Sequence, residues 1–296
     1  MKTLAQLGED AVVAELTRAL PSRGDVRVGA GDDCAVLGAP RDVWWQLLKT
    51  DAVVEGVHFL PETEPARVGW KALGRAISDI AAMGGTPEHA LVTLAVRSET
   101  TLAWVRGLYA GLRKVARAYG VAIVGGETSR SPGTAFINIA LTGRVERERC
   151  VLRSGGRADD ALFVTGRLGG SLAGKHLDFK PRVAESRWLG QNFRPRAMMD
   201  LSDGLATDLP RLARASGCGF ELWEDRVPCT TGCTVKQALG DGEDFELLFA
   251  VSPQQAEPLA AAWRRKFPRL PLTQIGKLTA EARRPKLRTR GHDHFA

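Results

Sequence analysis

The acidic residues that most constrain this chain lie mostly where strand-like runs end, beside Gly, Ser or Thr. Asp32 and Asp33 follow Gly31, Asp51 follows Thr50, Asp79 follows Ser78, Glu127 follows Gly126, Asp200 and Asp203 flank Ser202, and Glu243-Asp244 follow Gly242. A carboxylate at the end of a buried strand is costly unless a countercharge meets it, and one divalent cation meets several at once. Hard oxygen donors without clustered His or Cys select Mg²⁺ over zinc, and Mg²⁺ in turn implies phosphate oxygens. Single positions have plainer explanations. Asp79 shares a helical stripe with Lys71 and Arg75 and pairs with Arg75 on a wet face in that reading; Asp203 is a helix cap, and Asp32 or Asp33 makes an Asx turn. The repetition of the placement carries the argument.

With 296 residues the chain exceeds the ~250 at which single cores stop growing, so two domains are expected. The pattern alternates strands and helices, giving an α/β (α+β) class. Helices are predicted at Glu9 to Leu20, Pro65 to Met83, where Trp70, Leu73, Ile77 and Ile80 recur at threes and fours before Gly84-Gly85, and Thr101 to Tyr119. Strands are predicted at Val43 to Leu48, Leu91 to Val96, Val121 to Val124 and Ala135 to Val145. Glu146 to Asp160 has charge and glycine but no hydrophobic period, which puts a boundary between residues 1–148 and 149–296. The second half repeats the alternation: strands at Ala161 to Thr165, Ala197 to Leu201 and Glu246 to Val251, a helix at Asp203 to Ser216, and another from Pro253 capped by Ser252.

Hydrophobic residues make up 44% and charged residues 25%, the balance of a globular protein with a substantial core. No apolar run approaches the ~20 residues of a membrane span, and Met1 to Asp10 lacks a secretory pattern, so no membrane partner and a cytoplasmic location are expected. Five scattered cysteines fit reduced thiols, and Cys229 and Cys233 lack the second ligand pair of a zinc site. The net charge of +7 is concentrated in residues 264–290, with ten Lys or Arg against Glu281. With only Trp263 and Phe267 beside that stretch to stack on bases, no nucleic-acid partner is expected. Gly169 to Lys175 has P-loop spacing, but His176 stands where the metal-binding hydroxyl belongs, so a simple strand-to-helix turn is predicted.

The segments GDDCAVL at Gly31, TDAVVEGVHF at Thr50, GWKALGRAISDIAAMGG at Gly69, GGETSRSP at Gly125, LRSG at Leu152, MMDLSDGLATDL at Met198, GDGEDFELLF at Gly240 and GHDHF at Gly291 together resemble the thiamine-monophosphate kinase family. Its superfamily also holds aminoimidazole ribonucleotide synthetase and selenophosphate synthetase; the latter has a reactive Cys before Gly-Asp-Asp, and no cysteine precedes Cys34 here. The resemblance implies several Mg²⁺ ions on Asp32, Asp33, Thr50, Asp51, Asp79, Glu127, Asp200 and Asp203. It implies ATP on Gly126, Glu127, Arg153 and Ser202 with Tyr109 nearby, and thiamine monophosphate on His58, Glu243 and His292. It further implies an N-terminal half whose strands form a barrel across a homodimer, and no catalytic side chain beyond the metal ligands and Arg153. Such a phosphate monoester, with a second pKa of about 6, needs no general base. Three positions depart from the family: Glu127 replaces Asp, Asp241 replaces Gly, and His292 replaces an aromatic residue.

Overall fold

The structure, a computed structural model, describes residues 3–280, 289, 291 and 292. Two short helices, α1 (Leu4–Leu7) and α2 (Glu9–Thr17), precede β1 (Val26–Val28), β2 (Ala35–Leu37), β3 (Trp44–Val54), α3 (Pro65–Ala82), β4 (Thr86–Val96), α4 (Leu102–Tyr119), β5 (Ala122–Arg130) and β6 (Phe136–Glu146). These strands form one sheet in the order β1-β2-β3-β6-β4-β5. After a 3₁₀ turn at Arg147–Arg149 come β7 (Ala161–Thr165), α5 (Val183–Asn192), β8 (Ala197–Asp200), α6 (Leu205–Ala215), β9 (Gly219–Leu222), α7 (Val235–Gly240), β10 (Leu247–Val251), α8 (Pro253–Lys266) and β11 (Leu272–Thr279). They form a second sheet, β8-β10-β7-β11-β9. The stretch expected to hold the boundary thus separates the two sheets.

Among the described strands only β4 and β5 run parallel, and α4 makes the crossover that parallel pairing requires. Thr101 caps α4 by accepting from the Trp104 amide. Helix α3 starts on Pro65 and is buried from Val68 to Ala82 except at Trp70 and Arg75. It packs on α4 so closely that a Cβ on Gly111 would stand 1.8 Å from the Ala66 carbonyl oxygen. One face of it fills the first core with Leu73, Ile77 and Ile80, while Ala82 at its end enters the core of the second half beside Phe163, Phe249 and Trp263. One helix therefore ties the halves together and presents side chains to both.

Several elements differ from the sequence expectation. Helix α2 ends at Thr17, three residues before the predicted Leu20. Strand β3 continues to Val54, so Thr50 and Asp51 lie inside a strand, not at its end. Strand β4 begins at Thr86, absorbing Pro87 where its register with β6 shifts. Strand β5 runs through Gly125-Gly126, which were expected to end it, because pairing with β4 continues to Arg130. Helix α6 starts at Leu205 with Gly204 at its N-cap, so Asp203 is not the cap. Ser252 occupies the N-cap of α8, yet its hydroxyl donates to Gln255 Oε1 at 3.4 Å and caps no amide. All five cysteines are free, and no helix among the described residues is long and apolar enough to cross a membrane. The basic stretch is described only in part: residues 281–288 and 290 lie outside the described residues, as do 293–296 of the final motif.

Candidate active site

Three elements deliver one buried carboxylate each to a common point. Asp33 comes from the loop before β2, Asp79 from the last turn of α3 and Asp200 from the end of β8; one oxygen of each lies within 4.8 Å of the others. Asp200 accepts from the Ser78 hydroxyl at 2.6 Å, Asp79 pairs with Lys49 at 2.9 Å, and Asp33 Oδ1 accepts from Arg153 Nε at 3.2 Å. The second oxygen of Asp33 is buried without a hydrogen-bond partner. Burial and then mutual repulsion push the Asp200 carboxyl above the usual range. Asp79 is also pushed up by burial, with Lys49 opposing and Asp200 and Asp51 adding to the rise. Next to them Asp32 is raised to about 6, first by burial and then by Asp33.

Such a group fits a hard divalent ion: it has converging oxygens, one of them unpartnered, in a place where extra negative charge is costly. The electrostatics give a testable pH dependence. A carboxyl whose folded pKa is raised retains protons that the unfolded chain has released, so its contribution to stability is present below about pH 4 and is lost as pH rises through about 6 for Asp32. A divalent ion bound there would take the place of those protons. Saturating Mg²⁺ is therefore expected to raise the melting temperature by about 5 °C at pH 8 and by less than about half of that at pH 5.5, measured by calorimetry.

Two adjoining cavities open beside this group. The first, of about 170 Å³, is lined by His58, Arg75, Ser202, Asp203, Glu243 and His292 among others; the second, of about 390 Å³, shares Val57, His58, Leu172 and Glu243 with it. Arg75 links cavity to acids, since its Nε donates to Asp51 at 3.1 Å. Glu243 accepts from Lys71 at 2.7 Å; although burial opposes it, His176 and Lys71 hold its carboxyl at about 2. The backbone of Glu243 and Phe245 is left-handed, with φ of 52° and 50°. That strain costs about 1–3 kcal/mol per residue and is held by the amides of both, which donate to Ser202 and Leu201 carbonyls, and by Phe245 stacking on Phe179 at 3.9 Å.

The AIR synthase related protein family matches twice, its N-terminal domain over residues 31–145 and its C-terminal domain over 154–285. The thiamine-monophosphate kinase of Rhodopirellula baltica is 40% identical over 88% of this chain and 85% of its own length; that of Bacillus subtilis is 35% identical over 85% of each. The chain belongs to the thiamine-monophosphate kinase family. A solved structure of AaThiL complexed with AMPPCP and TMP superposes with a TM-score of 0.86 at 29% identity, covering 99% of both chains.

Within this family fold the expected site residues divide into groups. Asp33, Asp79 and Asp200 come together, with Asp32 beside them accepting from the Arg153 amide at 3.1 Å. Asp51 faces Arg75, whereas Thr50, its neighbour in β3, is exposed on the opposite face, its hydroxyl donating to Asn138 at 3.0 Å. Glu127 is exposed in edge strand β5, in register with Thr93 and through it with Asn138. Thr50 and Glu127 are thus not brought to the acid group within one copy of the chain. Gly126 lies beside Glu127 in β5, and Tyr109 packs against the first core from α4. Asp203 pairs with Arg211, and the His292 amide donates to the Asp203 carbonyl at 2.9 Å. The departure at Asp241 has a local use: its carboxylate accepts from the Gly170 amide at 2.8 Å.

The P-loop-like segment is bound by the chain itself. The Gly169 amide donates to Asp244 at 3.0 Å, and Lys175 donates to Asp244 and to the Arg167 carbonyl; only short 3₁₀ turns follow, with no helix to present amides to a phosphate. The sequence reading missed the cations. Lys49 sits on Asp79, and in α3 Lys71 is fully buried and Arg75 nearly so, so neither belongs to a wet stripe. Asp79 accordingly pairs with Lys49 in place of Arg75. The signal lay in α3 itself, which carries small or apolar residues on nearly every side and so has no solvent face to offer.

Proposed function

We propose that the chain transfers the γ-phosphoryl group of ATP to thiamine monophosphate, giving thiamine pyrophosphate and ADP with no covalent enzyme intermediate. The observation that carries this reading is the meeting of Asp33, Asp79 and Asp200, drawn from both halves, beside a cavity lined by His58, Glu243 and His292. When bound, Mg²⁺ ions neutralise charge on the phosphate oxygens. Asp32, Asp33, Asp51, Asp79, Asp200 and Asp203 hold them, with Thr50 and Glu127, on the outer face of the first sheet, completing the set across the pairing of two copies. Gly126, Arg153 and Ser202 receive ATP with Tyr109 close by, and His58, Glu243 and His292 orient the acceptor.

The acceptor phosphate is already ionised near neutral pH, so the protein needs no general base and acts by positioning two anions in line. Arg153, on Asp33, and Arg75, on the cavity wall, add fixed positive charge. Residues 1–148 carry most of the metal and nucleotide contacts and 149–296 close the site. The pairing of two copies through the outer face of the first sheet, as a barrel across a homodimer, is supported by exposed Trp44, Leu48, Leu91 and Val124 and by edge strand β5, which is exposed along most of its length. That same face carries Thr50 and Glu127. The work belongs to the cytoplasm, where ATP and Mg²⁺ are supplied.

Purified protein with ATP, Mg²⁺ and thiamine monophosphate is expected to form thiamine pyrophosphate, to stop on adding EDTA, and to lose about a thousandfold in kcat as Asp51→Asn. Formation of ADP without thiamine pyrophosphate, or only with another acceptor, would instead indicate a different ATP-dependent synthetase of the superfamily.

A further inference from the structure

Among the described residues Lys71 is the largest charged side chain with no exposure at all. It projects from α3 into the seam between the halves, where its ammonium meets three acceptors: the His58 carbonyl oxygen at 2.6 Å, Glu243 Oε2 at 2.7 Å and His176 Nδ1 at 2.7 Å. His176 Nδ1 also lies 3.0 Å from Glu243 Oε2. With the shared proton on Lys71 all three of its N–H bonds are used, and whether Lys71 or His176 carries that proton, one cation stands against the Glu243 carboxylate. The partners come from three separate elements: His58 from the turn after β3, His176 from the short turns after β7, and Glu243 from the strained loop before β10. Each of the three lines one or both cavities, while Lys71 lines neither.

An ammonium taken wholly out of water is tolerated only with such partners, and its loss leaves Glu243 free to turn or to recruit water. We infer that Lys71 is a positioning residue for the phosphoryl acceptor, acting by holding Glu243 and the His58 turn in the arrangement that forms the acceptor cavity. The inference rests on the functional reading above. It separates Lys71 from the acids around Asp33, Asp79 and Asp200, to which it makes no hydrogen bond. The effect of its removal should therefore fall on the acceptor and leave ATP largely untouched.

The test is steady-state kinetics with varied thiamine monophosphate and varied ATP on wild type, Lys71→Met, Glu243→Gln and the double variant, with melting temperatures in parallel. Lys71→Met is expected to raise KM for thiamine monophosphate at least about tenfold while KM for ATP moves less than about threefold. The double variant is expected to be no worse than Glu243→Gln alone, because Lys71 acts through that carboxylate. Should Lys71→Met fold poorly, the double variant, which removes both charges, is expected to melt higher than it and still show the raised acceptor KM. Equal rises in both KM values, a lowered melting temperature with unchanged KM, or losses that multiply in the double variant would each overturn the inference while leaving the function intact. A wild type inert toward thiamine monophosphate overturns the functional reading and this inference with it.

Discussion

Asp200→Asn is expected to lower kcat by about a thousandfold, about 4 kcal/mol of transition-state stabilisation, while raising the melting temperature of the metal-free protein. Asp200 is buried, and its charge is opposed by burial and by Asp33. The amide keeps the shape and still accepts from the Ser78 hydroxyl, which lies 2.6 Å from Oδ2. What disappears is one negative charge from a crowded group, worth roughly 1 kcal/mol of relief, or about 3 °C. On the proposed reading the same change removes a metal ligand, so the stabilisation by Mg²⁺ should shrink with the activity. Calorimetry with and without Mg²⁺, beside kcat, checks both signs. A variant that melts lower and retains activity would show that Asp200 is an ordinary structural carboxylate.

Gly126→Ala is expected to cost about 3 kcal/mol of stability, a fall of about 8 °C, by combining strain with overlap. Gly126 has φ of +152°, and a Cβ built on it would stand 1.8 Å from the Val92 carbonyl oxygen of the paired strand β4. Backbone cannot move aside as a flexible side chain does, so β5 must separate from β4 around Glu127. Gly133→Ala is the control: nothing lies within 4 Å of its added Cβ, and its effect is expected within about 0.5 kcal/mol. Thermal melts of the two variants decide the matter, and equal effects would contradict the close approach.

What could be read from the sequence was whatever a local period encodes. Helices α3 and α4 carry apolar residues at threes and fours with clear starts and stops, and β7, β8 and β10 are continuous apolar runs, buried along their length. The strand extents in the first sheet escaped because they are set by neighbours: β5 passes through Gly125-Gly126 since β4 pairs with it, and β3 passes through Lys49, Thr50 and Asp51 since β6 lies in register beside it. The acids were visible as a recurring placement, and the motifs added the residue-by-residue expectation. Their countercharges were hidden. Lys49, Lys71, Arg75 and His176 reach acids distant in sequence, up to 172 residues for Lys71 and Glu243, and no spacing rule encodes such a pairing. The opposite facing of Thr50 and Asp51 does follow from strand alternation, once β3 is known to extend past both.

The central claim is that acids from both halves of the chain hold divalent ions that bring two phosphates together. Anomalous diffraction from crystals grown with Mn²⁺ in place of Mg²⁺, a non-hydrolysable ATP analogue and thiamine monophosphate tests it most directly. The predicted result is metal density bonded to oxygens of Asp33, Asp79 and Asp200 and to the nucleotide's phosphates, with the acceptor phosphate in line beside Glu243 and His58. Nucleotide bound elsewhere, with those three carboxylates still on Lys49, Arg153 and Ser78 and no metal among them, would contradict it.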